Sequence, residues 1–277
     1  MKKSTFRHVW AGLVAGALIC ATHANDRRFT YTYEPEVLPA GAREFEQWIT
    51  LRAGRTGGGT VQKDRYRRWQ LRQELEYGVT DRYTVSLYLH GNAESFRDVR
   101  VRPPADRSTF RFAGVSVENR YLVFNPVEHP VGLALYLEPR LASDEAELEG
   151  KLILGQRHGD WKWALNLTHA TEWEDNFHEV EGELEVSAGV ARDLSPRWSL
   201  GLELREHVKL PRFRHRESSA LFLGPVVSHR REKMWATLTV LPQIAGRHFR
   251  GNPGGHSRLE LAGHERWNVR LLVGFDL

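Results

Sequence analysis

An all-β fold, a single antiparallel transmembrane β-barrel of about twelve strands behind a cleaved signal peptide, is predicted by three features of the 277-residue chain. Apolar and polar residues alternate over most of its length, the period of a strand with one greasy and one polar face. The alternating segments are joined by connections that are short and long in turn. The N-terminus has the layout of an export signal.

In Met1–Ala24, Lys2, Lys3 and Arg7 form a basic head, Trp10–Ile19 an apolar middle and Thr22-His23-Ala24 a small-residue exit. The apolar run is about ten residues, short of the ~20 that a spanning helix needs. Cys20 follows Ile19, where lipidation needs a small residue, which argues against a lipoprotein. The competing reading is a buried N-terminal helix. Cys20 is the only cysteine, so the mature chain has no disulfide, CxxC redox motif or cysteine zinc site. The basic head carries most of the formal charge of +4, so the mature chain is nearly balanced and no nucleic-acid partner is expected. Mean hydropathy is negative, as in a soluble protein, but a barrel also averages low because half of each strand faces a polar lumen. The expected organisation is a signal peptide (1–24), an N-terminal periplasmic segment (25–43) and one barrel (44–277).

The strands follow in order. The first candidate is Glu44–Ala53. In Arg68–Val79, Trp69, Leu71, Leu75, Tyr77 and Val79 share a face, with Gln73 the exception. Tyr83–His90, Phe110–Phe124, Val131–Leu141, Glu145–Gly155 and Trp161–Thr168 come next. Glu179–Arg192, Trp198–Val208, Ser219–Val227 and Met234–Gln243 lead to the last, Trp267–Leu277. There every odd position is apolar, and of the even ones only Leu272 is. A terminal amphipathic strand of this kind resembles the sorting signal of Gram-negative outer-membrane barrels, which places the protein in that membrane. Val79–Arg82, Asn125–Pro130, Gln156–Asp160, Leu194–Arg197 and Ser228–Lys233 are tight connections. Gly54–Arg65, Gly91–Thr109, Ala170–His178, Leu210–Glu217 and Ala245–Ser257 are longer and polar, and only Ala142-Ser143-Asp144 breaks the rhythm. Short periplasmic turns and longer outer loops are the barrel pattern.

Aromatics mark the two interfaces. Tyr77, Tyr83, Trp161, Trp163 and Trp198 lie on apolar faces beside short turns, as a periplasmic girdle requires; Trp69 and Trp267 fall nearer the outer rim. A soluble β-sandwich, the alternative all-β reading, buries its tryptophans mid-strand.

The stretch Tyr31-Thr32-Tyr33-Glu34-Pro35-Glu36-Val37-Leu38-Pro39-Ala40-Gly41 leads into Glu44-Phe45-Glu46-Gln47-Trp48. Later come Leu75-Glu76-Tyr77-Gly78-Val79-Thr80-Asp81-Arg82-Tyr83 and Glu118-Asn119-Arg120-Tyr121. With these, most of the mature chain resembles a family of poorly characterised proteobacterial outer-membrane barrels, similar to porin-like proteins of the meta-pathway phenol-degradation type. The resemblance implies a channel or transporter-like protein for an unassigned small solute. The chain departs from the family's terminal pattern by ending Phe275-Asp276-Leu277.

The polar faces carry the candidate chemistry. Arg68, Arg72, Glu74, Glu76, Glu138, Arg140, Glu181, Glu183, Glu185, Glu203, Arg205 and Arg270 are expected to line the lumen. A mid-membrane Arg or Lys facing lipid would cost ~2–4 kcal/mol. Inside, such charges either select solutes or pair across strands and select nothing. Arg270 is expected to face a Glu-rich interior, and Arg27–Gly41, with Pro35 and Pro39 blocking strand pairing, to fold across the periplasmic mouth. Ser228-His229, His256-Ser257 and His264-Glu265 put Ser, His and acidic groups side by side, but no motif of the barrel hydrolases is present and no catalytic residue is assigned. Gly57-Gly58-Gly59 lacks the Lys-Ser/Thr of a phosphate loop, Gly251–Gly255 reads as a loop tip, and no metal or cofactor motif occurs. The expected partners are outer-membrane lipids and lipopolysaccharide, the barrel-assembly machinery and a small solute, the protein being a monomer. Passive passage leads; a closed barrel with a structural or surface-recognition role, using Gly91–Thr109 and Ala245–Ser257, is the alternative, and a lipid-modifying enzyme the third.

Overall fold

The computed structural model describes residues 26–57, 62–249 and 258–277. The Met1–Ala24 leader, part of the Gly57–Gly59 run, the Gly251–Gly255 tip and His256-Ser257 lie outside them. Twelve antiparallel strands close into one barrel, each paired with its neighbours in sequence and the last with the first. They are β1 (Arg43–Ala53), β2 (Lys63–Thr80), β3 (Tyr83–Asp98), β4 (Ala105–Phe124), β5 (Gly132–Leu141) and β6 (Ala146–His158). The second half comprises β7 (Trp161–Glu174), β8 (Glu179–Asp193), β9 (Trp198–Pro211), β10 (Ser218–Arg231), β11 (Met234–His248) and β12 (Trp267–Asp276).

Closure is made by β1 against β12, with Phe45 opposite Phe275, Ile49 opposite Leu271 and Ala53 opposite Trp267. No edge is left to pair with another chain, which the hydrocarbon requires because it offers backbone groups no other partner. The register fixes the faces. Trp267 and Phe275 of β12 face out, whereas Asn268, Arg270, Leu272 and Gly274 are buried inward. The outer wall carries Leu75, Leu87, Leu135, Leu152, Leu167, Leu200 and Leu202, all more than a third exposed. In water this would be an aggregation surface; in a bilayer it is the lipid contact. Asp26, the C-terminal Leu277 and the short turns sit at one end, the periplasmic one by the loop-length rule.

Several strands run further than their alternation suggests. Gly91–Thr109 is not one long loop: β3 continues to Asp98 and β4 starts at Ala105, so the hairpin stands beyond the outer rim. Above the membrane both faces are wet, and the apolar half of the pattern that reveals a strand is lost. For the same reason Ala170–His178, Leu210–Glu217 and Ala245–Ser257 shrink, since β7 reaches Glu174, β9 Pro211 and β11 His248.

The interior is filled. Residues 27–35 are buried and, instead of folding across the periplasmic mouth, pack inside the barrel, whose inward faces are shaped to admit them. Gly189 leaves room for Phe29: a Cβ there would stand 2.5 Å from the ring. Gly132 and Gly155 do the same for Pro35, and Gly78 for the Pro39 carbonyl. Tyr33 joins the inward side chains Trp48, Tyr88, Tyr136, Trp235 and Leu272 in the largest buried cluster. Leu272, the odd residue on the polar face of β12, is thereby explained.

Candidate functional site

The N-terminal strand-free segment is a plug, and most of its anchors are charged or polar. Glu203 of β9 accepts the backbone amides of Tyr31 and Thr32, both at 2.6 Å, and of Thr30 at 3.2 Å. Thr239 donates to the same carboxylate at 2.8 Å. Asn166 of β7 pairs with Tyr33 as a strand would, accepting its amide at 2.6 Å and donating to its carbonyl at 2.9 Å. Ion pairs surround these bonds: Arg27 with Glu46 at 3.5 Å, Arg28 with Asp193 at 3.0 Å, Lys162 with Glu34 and Glu36, and Arg230 with Asp26 at 2.6 Å. Further along, Leu38 donates to Thr84 and Ala40 to Asp81. Extended backbone without a sheet partner needs such acceptors, because buried amides left bare are costly.

Above the plug a charged vestibule of about 250 Å³ opens towards the outer face, floored by Tyr31, Tyr33 and Trp48. Its charges are sorted by side. Arg52, Arg68, Arg72 and Arg270 come from β1, β2 and β12; Glu147, Glu149, Glu172, Glu174, Glu183 and Glu185 come from β6, β7 and β8. Some are neutralised locally. Arg140 pairs with Glu147 at 2.8 Å and Glu145 at 3.4 Å, Arg205 with Glu185 at 2.6 Å, and Lys209 with Glu181 at 3.1 Å. Among the described residues, Arg68, Arg72, Arg270, Glu172 and Glu174 have no ion-pair partner within 4.0 Å. Guanidinium groups without an ion-pair partner thus stand on one wall and carboxyl groups without one on the other.

The segment before β12 folds down into this space. Glu260 is held by Gln243, His264 lies against His207 and Ser218, and Glu265 pairs with Arg52 at 3.5 Å. Desolvation, with His207 and Lys209 beside it, pushes the His264 imidazole down from 6.5 to about 2. Ser218 and His264 are 3.2 Å apart, with His207 and Glu183 next in line. Both Ser218 and His264 are buried, so the chain of groups serves as a clasp between the loop and the wall.

Each sequence-assigned lumen charge points inward, but in two different settings. Glu74, Glu76, Glu138 and Glu203 are buried beside the plug or in the wall around it. Glu74 accepts from Trp48 at 3.0 Å, Glu76 holds Arg120, Glu138 accepts from Ser116 and Tyr136, and Glu203 holds the plug. Arg68, Arg72, Arg140, Glu183, Glu185, Arg205 and Arg270 line the vestibule, and Glu181 stands next to it on β8. Arg270 does not face a Glu-rich interior. Its guanidinium lies 3.8 Å from the Tyr31 ring centre and donates to Thr50 at 2.9 Å and the Thr30 carbonyl at 3.1 Å. The acidic wall is on β6–β8, across the lumen, and the plug reaches Arg270 first.

The aromatics Tyr77, Trp161 and Trp198, each more than two-fifths exposed, face out at the periplasmic end, with Tyr83 and Trp163 half-buried beside them; Trp69 and Trp267 face out near the outer rim. Tyr121, opposite Tyr83, and Phe110, on the outer side, belong to the same belts. The sequence pattern alone does not single these out, nor Phe29, Asn166, Trp235 and Glu260. Tyr121 and Phe110 fit the strand parity; the others take their roles from chain-distant partners.

The comparisons agree with this geometry. No curated protein matches the chain. The COG4313 outer membrane channel from Pseudomonas putida F1 shares the fold with a TM-score of 0.59 at 11% identity, over 90% of this chain and 100% of that one. The NanC porin follows with a TM-score of 0.51 at 11% identity, over 84% of this chain and 100% of its own. The fold is therefore that of porin-like outer-membrane barrels, as the resemblance in the sequence implies. The family of unknown function DUF6662 matches residues 21–153 and 148–277. A barrel with an inserted N-terminal plug and a charge-sorted outer vestibule is thus the form taken here by a member of DUF6662, the family to which this chain belongs.

Proposed function

We propose that the protein is a plugged outer-membrane channel for a small charged solute, which enters from outside and binds in the vestibule with its anionic group towards Arg68 and Arg72. The observation that carries this reading is the pair of opposed walls with unpaired Arg and unpaired Glu. A salt-bridged lumen serving stability alone would pair these groups, because a partly buried charge without a partner is costly. The solute is held by electrostatics and size, with no covalent step, and passage requires the 26–42 segment to shift. A second reading, a closed barrel without transport, is favoured by the number of the plug's anchors.

Planar-bilayer recording separates the two. The expected result is small, intermittent conductance in the intact protein, anion-biased under a salt gradient, with the bias lost in Arg68→Gln/Arg72→Gln. Silence of both the intact protein and a plug-weakened variant, beside a conducting control porin, would overturn passage in favour of the closed barrel.

A further inference from the structure

The outer ends of β2, β3 and β4 carry a basic cleft that the vestibule does not use. It has a volume of about 390 Å³ and is lined by Arg65, Arg67, Arg97, Arg107, Ser95 and Ser108, with Asp106 at its side. Among the described residues, Arg67, Arg97 and Arg107 have no carboxylate within 4.0 Å; Arg65 has Asp64 at 4.0 Å. Guanidinium groups and serine hydroxyls together are the donor set of a phosphate site.

The register gives its height and direction. Trp69, Ala93 and Phe110 stand side by side on the outward face, with Leu71, Gly91 and Phe112 one outward step below them. Arg67, Ser95 and Ser108 are one outward step above, then Arg97 and Asp106. Two residues of tilted strand rise roughly 5 Å. Interfacial aromatics mark the headgroup boundary, so the arginines sit at the phosphates of the outer leaflet. The face below them is shaped as well. Gly91 and Ala93 leave a furrow between Trp69 and Leu71 on one side and Phe110 and Phe112 on the other. The two phenylalanines are 75% and 64% exposed.

Both halves meet in one class of molecule. We propose that the cleft and furrow bind a phosphorylated glycolipid of the lipid A type, its phosphate between Arg67 and Arg97, with Ser95 and Ser108 beside them, and an acyl chain along Gly91 and Ala93; Arg107, opposite Phe96, is on the other face of the hairpin. Grouped guanidinium groups repel one another, and at this height the leaflet supplies the counter-anion. The site depends on the barrel's orientation and not on the channel reading, so it stands or falls separately.

The test is native mass spectrometry of the detergent-solubilised full chain with diphosphoryl lipid A, phosphatidylglycerol or inorganic phosphate. Lipid A is expected to stay bound to the intact protein and to Arg231→Gln, a control at the periplasmic end. In Arg67→Gln/Arg97→Gln its affinity is expected to fall at least about ten-fold, the equivalent of one charge-assisted hydrogen bond. Phe110→Ser weakens lipid A without creating phosphate sensitivity. Heat-modifiable migration on gels reports folding, and Arg97→Gln alone replaces the double variant if that one misassembles. Unchanged lipid A binding in the arginine variants, equal loss in the control, or full displacement by phosphatidylglycerol or phosphate overturns the proposal.

Discussion

The Glu203 carboxylate and the Tyr31 amide lie 2.6 Å apart, across 172 residues of sequence. The same carboxylate takes the amides on either side of Tyr31, so three consecutive backbone donors converge on one buried anion. An amide bond to a charged acceptor contributes about 1.5–3 kcal/mol. Glu203→Gln keeps the size, loses the charge and turns one acceptor into a donor that faces donors. Amides 30–32 are expected to exchange faster by at least about ten-fold in hydrogen–deuterium measurements, the equivalent of 1.4 kcal/mol. The barrel amides should be little changed. Unaltered exchange at 30–32 would remove Glu203 as the plug's holdfast.

Gly189 tests the plug sterically, without touching a charge. Its missing side chain is occupied by Phe29, whose ring sits among Ala164, Ala191 and Val226. Gly189→Val puts methyl groups where the ring lies. The overpacking costs about 1–3 kcal/mol, and the cheaper relief is to move the plug, not the sheet. Protease sensitivity of the 26–36 stretch should rise while gel migration still reports a folded barrel. Combining the change with Phe29→Ala should restore protection, because the smaller side chain vacates the space.

Much of the barrel was legible in the sequence because each strand has two solvents. Lipid on one side and a polar interior on the other impose period two, so Trp267–Phe275 and Trp198–Leu204 show their faces directly. Where one solvent surrounds the chain, as at Arg97 or Asp106 beyond the rim, the signal vanishes and strand reads as loop. The plug was legible as a non-strand, from Pro35 and Pro39, at the periplasmic mouth, but its insertion into the lumen was not. That Glu203 holds it could not be read, since the partners are backbone amides, which every residue has. Trp48, Trp235 and Leu272 contradict the polar-inside rule until the plug gives them something apolar to touch.

The outer loop that ends in His264 should loosen in acid. The docked imidazole is neutral, with its pKa pressed from 6.5 to about 2. An undocked His264 takes a proton near 6.5, so the undocked state binds more protons between those values. Docking is therefore fully stable above about pH 6.5 and weakens as the pH falls below it, by up to ~1.4 kcal/mol per unit. His207 and Lys209 on β9, together with Arg205 and Arg55, oppose the charge; Glu260, 3.9 Å away, and Glu183, bound to His207, soften it. Exchange of amides 259–266 should accelerate between pH 7.5 and pH 5 after correction for intrinsic rates. In His264→Gln the acceleration should disappear; if it persists, the clasp responds to another group.

A polar pair on the lipid face offers a cleaner energetic test. Gln47 and Gln73 are register partners on β1 and β2, facing out between the Tyr77 and Trp69 belts. Gln73 donates to the Gln47 carbonyl oxygen at 3.1 Å, and the Gln47 amide donates to the Trp48 and Arg72 carbonyls at 3.0 and 2.9 Å. One bond thus serves the Gln73 donor and the Gln47 acceptor where lipid offers no partner. Gln73→Leu strips the Gln47 oxygen of its donor, and Gln47→Leu leaves the Gln73 amide bare, each at about 1–3 kcal/mol. The double change replaces both with apolar groups and should be near neutral or stabilising. Urea titration of the barrel folded in lipid vesicles measures the cycle. A coupling near zero would mean that the two glutamines act independently, with water or backbone meeting their needs; a double variant more stable than either single one shows that they are tolerated in the membrane only as a pair.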